Sequence, residues 1–388
     1  MSKTIWLNRY TLFACVVFIC LPLSRSIAGP AEDAAAKLCD NLAASIADKT
    51  KPAGVPGVSP GAIDGPKAVE ACEKAAAAFP NNLRIQFQYG RALVAAERSP
   101  DKVFALYTKA ANGGHVVAMN NLGNVYEKGA GTPKDMQLAV KWYQKAADHG
   151  LAVAQGNIGL SYRNGTGLHK DGKAAVVWFT KAANQGDANS MNQLGIMYDN
   201  GKDVPQDYVK AVKFYQAAMA GGEVDAFSNV GWAYDRGIGG LPLDHVKANE
   251  IYLRGAAKGD SNSMNNYAES LITGEGVAKD ITAGMEWMNK AFAAESSRAA
   301  YNLGVYYFEG KNVPRDIDKS VDCLIKALER NSDNVRVALI DNGGKDIPAD
   351  VANLMQDKLL KRGGVFEKHG GSFGNGAVQY MEEILNGG

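Results

Sequence analysis

The chain holds 388 residues, 46% of them hydrophobic and 21% charged, with 43 Gly, 13 Pro and a formal net charge of +1. That apolar fraction belongs to folded domains and excludes disorder over most of the length. Basic residues are scattered singly around a near-zero balance, which excludes the concentrated basic face that nucleic acid demands.

In chain order, the first element (1–28) reads as an address. Lys3 and Arg9 give a basic start, Thr11–Leu23 supplies the apolar run, and Ser26-Ile27-Ala28 offers the small-x-small pattern of signal peptidase. The run is shorter than the ~20 residues that comfortably span a bilayer, so cleavage after Ala28 is expected. Cleavage removes Lys3, Arg9 and Arg25 and no acid, which takes the formal charge from +1 to −2. No later apolar run approaches a transmembrane length, so the expectation is an exported bacterial protein, periplasmic or secreted, without an integral membrane segment.

Residues 29–84 follow as a helical N-terminal cap. Cys39 and Cys72 lie in Ala-rich stretches of helical periodicity, separated by the Pro/Gly connector KTKPAGVPGVSPGAIDG. In an oxidising compartment the natural reading is two helices clamped by a Cys39–Cys72 disulfide. Closing that loop contributes roughly 3–4 kcal/mol by chain entropy. The alternative is two buried thiols. Residues 85–116 form a short tetratricopeptide-like helix pair, with Glu97-Arg98-Ser99-Pro100 as its tight turn.

From 117 to 331 the chain repeats itself six times, with a period of about 36 residues. Gly123, Gly159, Gly195, Gly231 and Gly304 recur inside a first helix, where a small residue lets a second helix approach; Ala268 replaces them in the fifth unit. Gly129, Gly165, Gly201, Gly237, Gly274 and Gly310 stand where that helix ends, the left-handed cap position. Asp135, Asp171, Asp207, Asp244, Asp280 and Asp316 open the second helix as N-caps or first-turn acids. Trp142, Trp178, Phe214, Ile251, Trp287 and Cys323 read as the last buried column, which makes Cys323 an inert core thiol.

This pattern, A-x-x-x-LG-x-x-Y-x-x-G-x-G-x-x-x-D-x-x-x-A-x-x-W-x-x-KAA-x-x-G, resembles the Sel1-like repeat, a longer-looped relative of the tetratricopeptide repeat. The resemblance implies an all-α fold: antiparallel helix pairs stacked into a right-handed α-solenoid, with residues 29–84 shielding its first end.

Catalytic chemistry is not expected. There is no H-E-x-x-H motif and no phosphate-cradling loop, and His115, His149, His169 and His245 fall in turns or near helix starts, too far apart for a metal site. No cofactor or metal is expected, and no enzyme. Binding is assigned instead to the concave face that solenoids present. The column before each Leu-Gly-like pair is Asn121, Asn157, Gln193, Asn229, Asn266 and Asn302. A carboxamide donates and accepts, which suits an extended peptide backbone, and the matching Asn of tetratricopeptide relatives does this. The competing reading is that these amides bond backbone across repeats and only hold the superhelix. Trp232 departs from the small or polar residues expected at its position and is a hot-spot candidate.

The last segment, 332–388, leaves the repeat. Gln356, Leu359, Phe366, Phe373, Gly374 and Ala377 sit in register with a weakly similar peptidoglycan-binding-like module, although Gly370 and Gly376 replace its Asp and Thr and its upstream Trp is missing. It is read as a C-terminal cap or a degenerate module of that kind. The function expected is an exported scaffold or regulator for a protein or peptide partner in the cell envelope. Its layout is similar to an alphaproteobacterial regulator that restrains a sensor kinase controlling exopolysaccharide. The alternative is a cell-envelope glycan binder with weak peptidoglycan contact through 332–388.

Overall fold

The computed structural model describes residues 29–330 together with Leu354 and Lys358. The signal assigned to 1–28 and the register residues of the C-terminal module lie outside the described residues. Regular structure among the described residues is helical throughout, with sixteen α-helices, one short 3-10 turn at Pro60–Ala62 and no strand. None of the described helices is long and apolar enough to cross a membrane. The chain divides into two compact units, one up to His115 and one from Val116 onward.

The first unit contains α1 (Pro30–Ala43), α2 (Gly65–Ala78), α3 (Leu83–Ala95) and α4 (Pro100–Asn112). Cys39 and Cys72 form a disulfide between α1 and α2, and both are fully buried. The Pro/Gly connector folds back because its backbone finds partners. Arg91 of α3 donates from Nη1 to Ala43 O and from Nη2 to Val58 O, each at 2.7 Å, and Val58 N donates to Ala44 O at 2.8 Å. A buried guanidinium that satisfies two orphan carbonyls holds its place despite the desolvation cost. Nearby, Asp48 accepts from Thr50 N at 2.8 Å and Thr50 Oγ1 at 2.6 Å. It also meets His115 Nε2 at 3.2 Å, with both side chains almost wholly buried.

The second unit is a run of six helix pairs: α5 (Val116–Lys128) with α6 (Met136–Asp148), α7 (Ala152–Asn164) with α8 (Gly172–Ala183), and α9 (Ala188–Asn200) with α10 (Tyr208–Ala220). Then come α11 (Ala226–Arg236) with α12 (His245–Ala257), α13 (Ser261–Thr273) with α14 (Ile281–Ala293), and α15 (Ser297–Glu309) with α16 (Ile317–Glu329). These are the helix pairs of an α-solenoid, each burying its apolar face on the next.

Each hairpin is closed by the same two devices. The aspartate carboxylate caps the second helix: Asp135 accepts from Leu138 N at 2.9 Å, Asp171 from Ala174 N at 3.0 Å, and Asp280 from Ala283 N at 2.9 Å. The same residue's backbone N–H reaches back to the end of the first helix, as in Asp135 N to Tyr126 O, Asp171 N to Tyr162 O and Asp207 N to Tyr198 O, all at 2.9 Å. Gly165, at φ +73°, supplies the left-handed turn between them.

The helix-helix contact is equally regular. A Cβ added to Gly159 would lie 2.6 Å from Phe179 Cδ1, so only glycine admits the ring. The fifth repeat inverts this arrangement. Ala268 stands on the first helix, Gly284 replaces the alanine of the second, and Met288 takes the place of the ring. A β-carbon is tolerated on either side of the crossing, and the facing side chain adapts.

The sequence misplaces one column. Trp142, Trp178, Phe214 and Trp287 are half-buried rather than core. The fully packed column is the next residue, Tyr143, Phe179, Tyr215, Tyr252, Met288 and Leu324. The tryptophans instead form a rim whose faces carry the lysine three residues on. Lys145 Nζ lies 3.9 Å from the Trp142 centroid, Lys181 4.0 Å from Trp178, and Lys290 4.3 Å from Trp287. An indole can span core edge and solvent where a cation covers its outer face. Cys323 is buried, and burial together with the Asp322 charge pushes its thiol up to about 11. At the far end, Leu354 packs on Val321, Leu324 and Ile325, and Lys358 Nζ lies 3.0 Å from Asp318 and 3.3 Å from Asp322.

Candidate partner-binding face

First helices of successive repeats touch one another, α7 on α9, α11 on α13 and α13 on α15, whereas the second helices make no comparable approach. The first helices therefore line the inner side of the second unit. Asn121, Asn157, Gln193, Asn229, Asn266 and Asn302 all lie on them, half-buried, and so does Trp232.

The amides are not a free ladder. Asn157 Nδ2 donates to Asn120 Oδ1 and Asn229 Nδ2 to Asn192 Oδ1, each at 2.9 Å. Asn302 Nδ2 donates at 3.1 Å both to Asn265 Oδ1 and to Glu269 Oε1. The acceptors Asn120, Asn192 and Asn265 are buried and stand one residue before the column in odd-numbered repeats. In the second and fourth repeats that position is Gly156 and Ser228. The cross-repeat bond thus recurs at every second interface, where a buried amide exists to receive it. In the odd repeats the column accepts instead: Asn121 Oδ1 from Asn120 Nδ2 at 3.5 Å, Asn266 Oδ1 from Asn265 Nδ2 at 3.3 Å, and Gln193 Oε1 from Arg163. Each amide spends one end on its neighbours. The carbonyl oxygens of Asn157 and Asn229 and the amino groups of Asn121 and Gln193 make no hydrogen bond among the described residues.

A second set of side chains escaped the sequence reading. Tyr143 lies with its hydroxyl 2.7 Å from Asn124 Oδ1 and donates to Glu127. Tyr252 donates to Asp235 Oδ2 at 2.7 Å, Tyr215 to Asp199, and Tyr306 to Glu269 Oε1 at 2.9 Å. Burial, reinforced by the adjacent carboxylates, holds these four phenols far above their ordinary value. Burial likewise raises Asp199 and Glu269 against the opposing hydrogen bonds of Tyr215 and Tyr306. The signal was present as a paired change: where the packed column is Phe179 rather than tyrosine, the matching acid becomes Arg163.

The histidines are dispersed. His149 Nδ1 lies 2.8 Å from Lys145 O, His169 Nδ1 2.9 Å from Lys170 O, and His245 Nδ1 3.1 Å from Asp235 Oδ1. Among the described residues no three His, Cys, Asp or Glu gather as a metal site. The string Gly57-Val58-Ser59-Pro60-Gly61 spells a nucleophile elbow, but Ser59 precedes the 3-10 turn of the connector rather than sitting at the strand-to-helix turn that motif needs.

A family model described as the Sel1 repeat matches residues 87–115, 116–151, 152–187, 188–222, 225–260, 261–296 and 297–332. The first of these falls on the α3–α4 pair, so seven units carry the pattern where the sequence reading set that pair apart. A crystal structure of a Sel1 repeat protein from Oxalobacter formigenes is similar at 31% identity and a TM-score of 0.56, covering 63% of this chain and 100% of its own. A protective antigen present in uropathogenic Escherichia coli strains, displaying an SLR fold, is similar at 25% identity and a TM-score of 0.52. That match covers 82% of this chain and 71% of the antigen. A search of the curated proteins found no match.

Proposed function

The chain belongs to the Sel1 repeat family, whose members generally mediate protein–protein interaction; from that premise we propose that it is a non-catalytic scaffold or regulator whose inner face receives an extended segment of a protein partner. The observation that carries this reading is the half-exposed amide column of the first helices. Asn121, Asn157, Gln193 and Asn229 are each oriented by one hydrogen bond to a neighbour and keep a second polar group for a ligand, whereas Asn266 and Asn302 make more than one bond within the chain. A pre-oriented amide loses little entropy on binding, which favours recognition of a backbone.

Export is part of the same proposal. The signal pattern at 1–28 and the Cys39–Cys72 disulfide both fit an oxidising compartment, and the partner is then a component of the cell envelope. Restraint of an envelope sensor kinase rests on the resemblance of layout alone. Cell-wall contact through 332–388 falls outside the described residues, and no observation favours it over the inner face.

The test is capture from envelope extract with two variants beside the wild type. Trp232→Ala removes the inner-face indole, and Trp178→Ala removes one from the outer rim. A partner identified by mass spectrometry that is lost with Trp232→Ala and kept with Trp178→Ala supports the reading. The reverse pattern places the site on the rim and refutes it.

A further inference from the structure

The inner face is not uniform along its length, and its middle third has a composition of its own. Three residues after the amide column stand Leu160, Ile196 and Trp232 in the second, third and fourth repeats. The same position holds Asn124 in the first repeat, Glu269 in the fifth and the smaller Val305 in the sixth, so the three large apolar residues are consecutive only in the middle. Residues three apart on a helix share a face, so these apolar side chains lie beside Asn157, Gln193 and Asn229, with Leu160 and Ile196 also packing against the core. All three are half-buried, with area left for a ligand.

Alongside these side chains lie Asp199 and Asp235. Each is fixed by a buried tyrosine hydroxyl, Tyr215 and Tyr252 respectively. Neither forms a salt bridge with a lysine or arginine among the described residues; Asp235 meets only His245. A half-buried carboxylate that is held rigid, with no lysine or arginine of its own chain beside it, is a site for a cation from elsewhere. The raised titration of Asp199, caused by burial, agrees with a missing counter-charge.

Spacing sets the register of the partner. Successive helix pairs lie about 10 Å apart, and a polyproline-II segment rises about 3.1 Å per residue with three residues per turn, so one repeat matches one turn and every third side chain of the peptide meets the face. We infer that the inner face of the second to fourth repeats takes a polyproline-II-like segment with an apolar side chain at every third position, and a lysine or arginine beside it at the third and fourth repeats, where Asp199 and Asp235 stand in the place that Arg163 fills in the second. This specificity rests on the inner-face reading above, and its test separates the two.

The probes are two fluorescein-labelled 12-residue peptides, four repeats of Leu-Ser-Lys and four of Leu-Ser-Glu, titrated by anisotropy against the full chain. The expected result is binding of the lysine peptide about tenfold or more above the glutamate peptide, narrowing as salt rises. Asp199→Asn with Asp235→Asn should abolish that preference, and the isosteric amides keep an acceptor for both tyrosine hydroxyls, so circular dichroism should be unchanged. Trp232→Ala should weaken both peptides about tenfold. Equal affinities in the wild type, or no binding of either peptide, would overturn the inference even if the double variant failed to fold. Loss with Trp232→Ala alone, while the aspartate variant is silent, removes the cationic specificity and leaves the inner-face reading standing. Binding that ignores Trp232→Ala as well moves the site off the inner face and removes both.

Discussion

Gly159→Ala tests the account of the repeat at its tightest point. Non-bonded carbons rest about 3.5–4.0 Å apart, and the new Cβ would sit 2.6 Å from Cδ1 and 2.7 Å from Cε1 of Phe179. The overlap is therefore about 1 Å. Phe179 is fully buried and cannot swing away. An overlap this large against a fully buried ring falls in the upper part of the overpacking range, about 2–3 kcal/mol, and the gain of alanine over glycine in a helix returns about 1 kcal/mol. The net expectation is a loss of about 1–2 kcal/mol, read as a lower urea midpoint by circular dichroism. The fifth repeat supplies the control, since Ala268 there faces Met288. Gly159→Ala combined with Phe179→Met should recover much of the loss, with a coupling of about 1 kcal/mol between the two changes. A neutral single substitution, or strict additivity in the pair, would refute the reasoning.

Other consequences follow from the ends and caps. Burial raises Asp48, but hydrogen bonds from His115 and Thr50 and the His115 charge outweigh it and hold the carboxyl below the ordinary range. A depressed folded value gives stability that is complete above the unfolded pKa of about 4 and is lost as pH falls through the folded value. Asp48→Asn should therefore lower the urea midpoint at pH 6 and make progressively less difference as the pH falls below about 4; an effect that does not shrink with falling pH refutes the assignment. Replacing Cys39 and Cys72 together by alanine should cost about 3 kcal/mol through the reopened loop, seen by hydrogen exchange as lost protection in α1 and α2 while α9 and α10 are unaffected. Asp135→Ala should cost about 1 kcal/mol through loss of the α6 cap, and an unchanged midpoint would argue that the backbone bond alone closes that hairpin. Cys323, with its thiol pushed up to about 11, should resist alkylation at pH 8 until denaturant is added, as followed by peptide mass spectrometry.

The helix pairs were legible because their columns are dictated by steric and capping demands that leave few residue choices, such as glycine at 159 and aspartate at 171. The rim tryptophans were not, because periodicity alone assigns a large aromatic to the interior. Their half-exposure depends on the lysine three residues on, and on a tyrosine or phenylalanine at the next position that already fills the core. The inner face was legible as a column of amides. What those amides do was not, since it turns on the residue before each one: asparagine at 120, 192 and 265 receives a cross-repeat bond, and Gly156 and Ser228 do not.

The backbone bond from each aspartate N–H to the end of the preceding helix carries a consequence for how such chains diverge and can be engineered. It spans nine positions in most repeats, but Asp244 N reaches Tyr234 O across ten, at 3.0 Å, without disturbing the cap on Lys247 N at 2.8 Å. The hairpin mouth thus behaves as a clasp that ignores the length of what hangs outside it. Loop-closure entropy grows slowly with length, so an epitope or fluorophore-binding tag inserted between Gly239 and Leu241 would extend the loop while leaving the register of all following repeats intact. The fourth repeat carries one residue more than its neighbours at this point, which marks it as the place to extend the array.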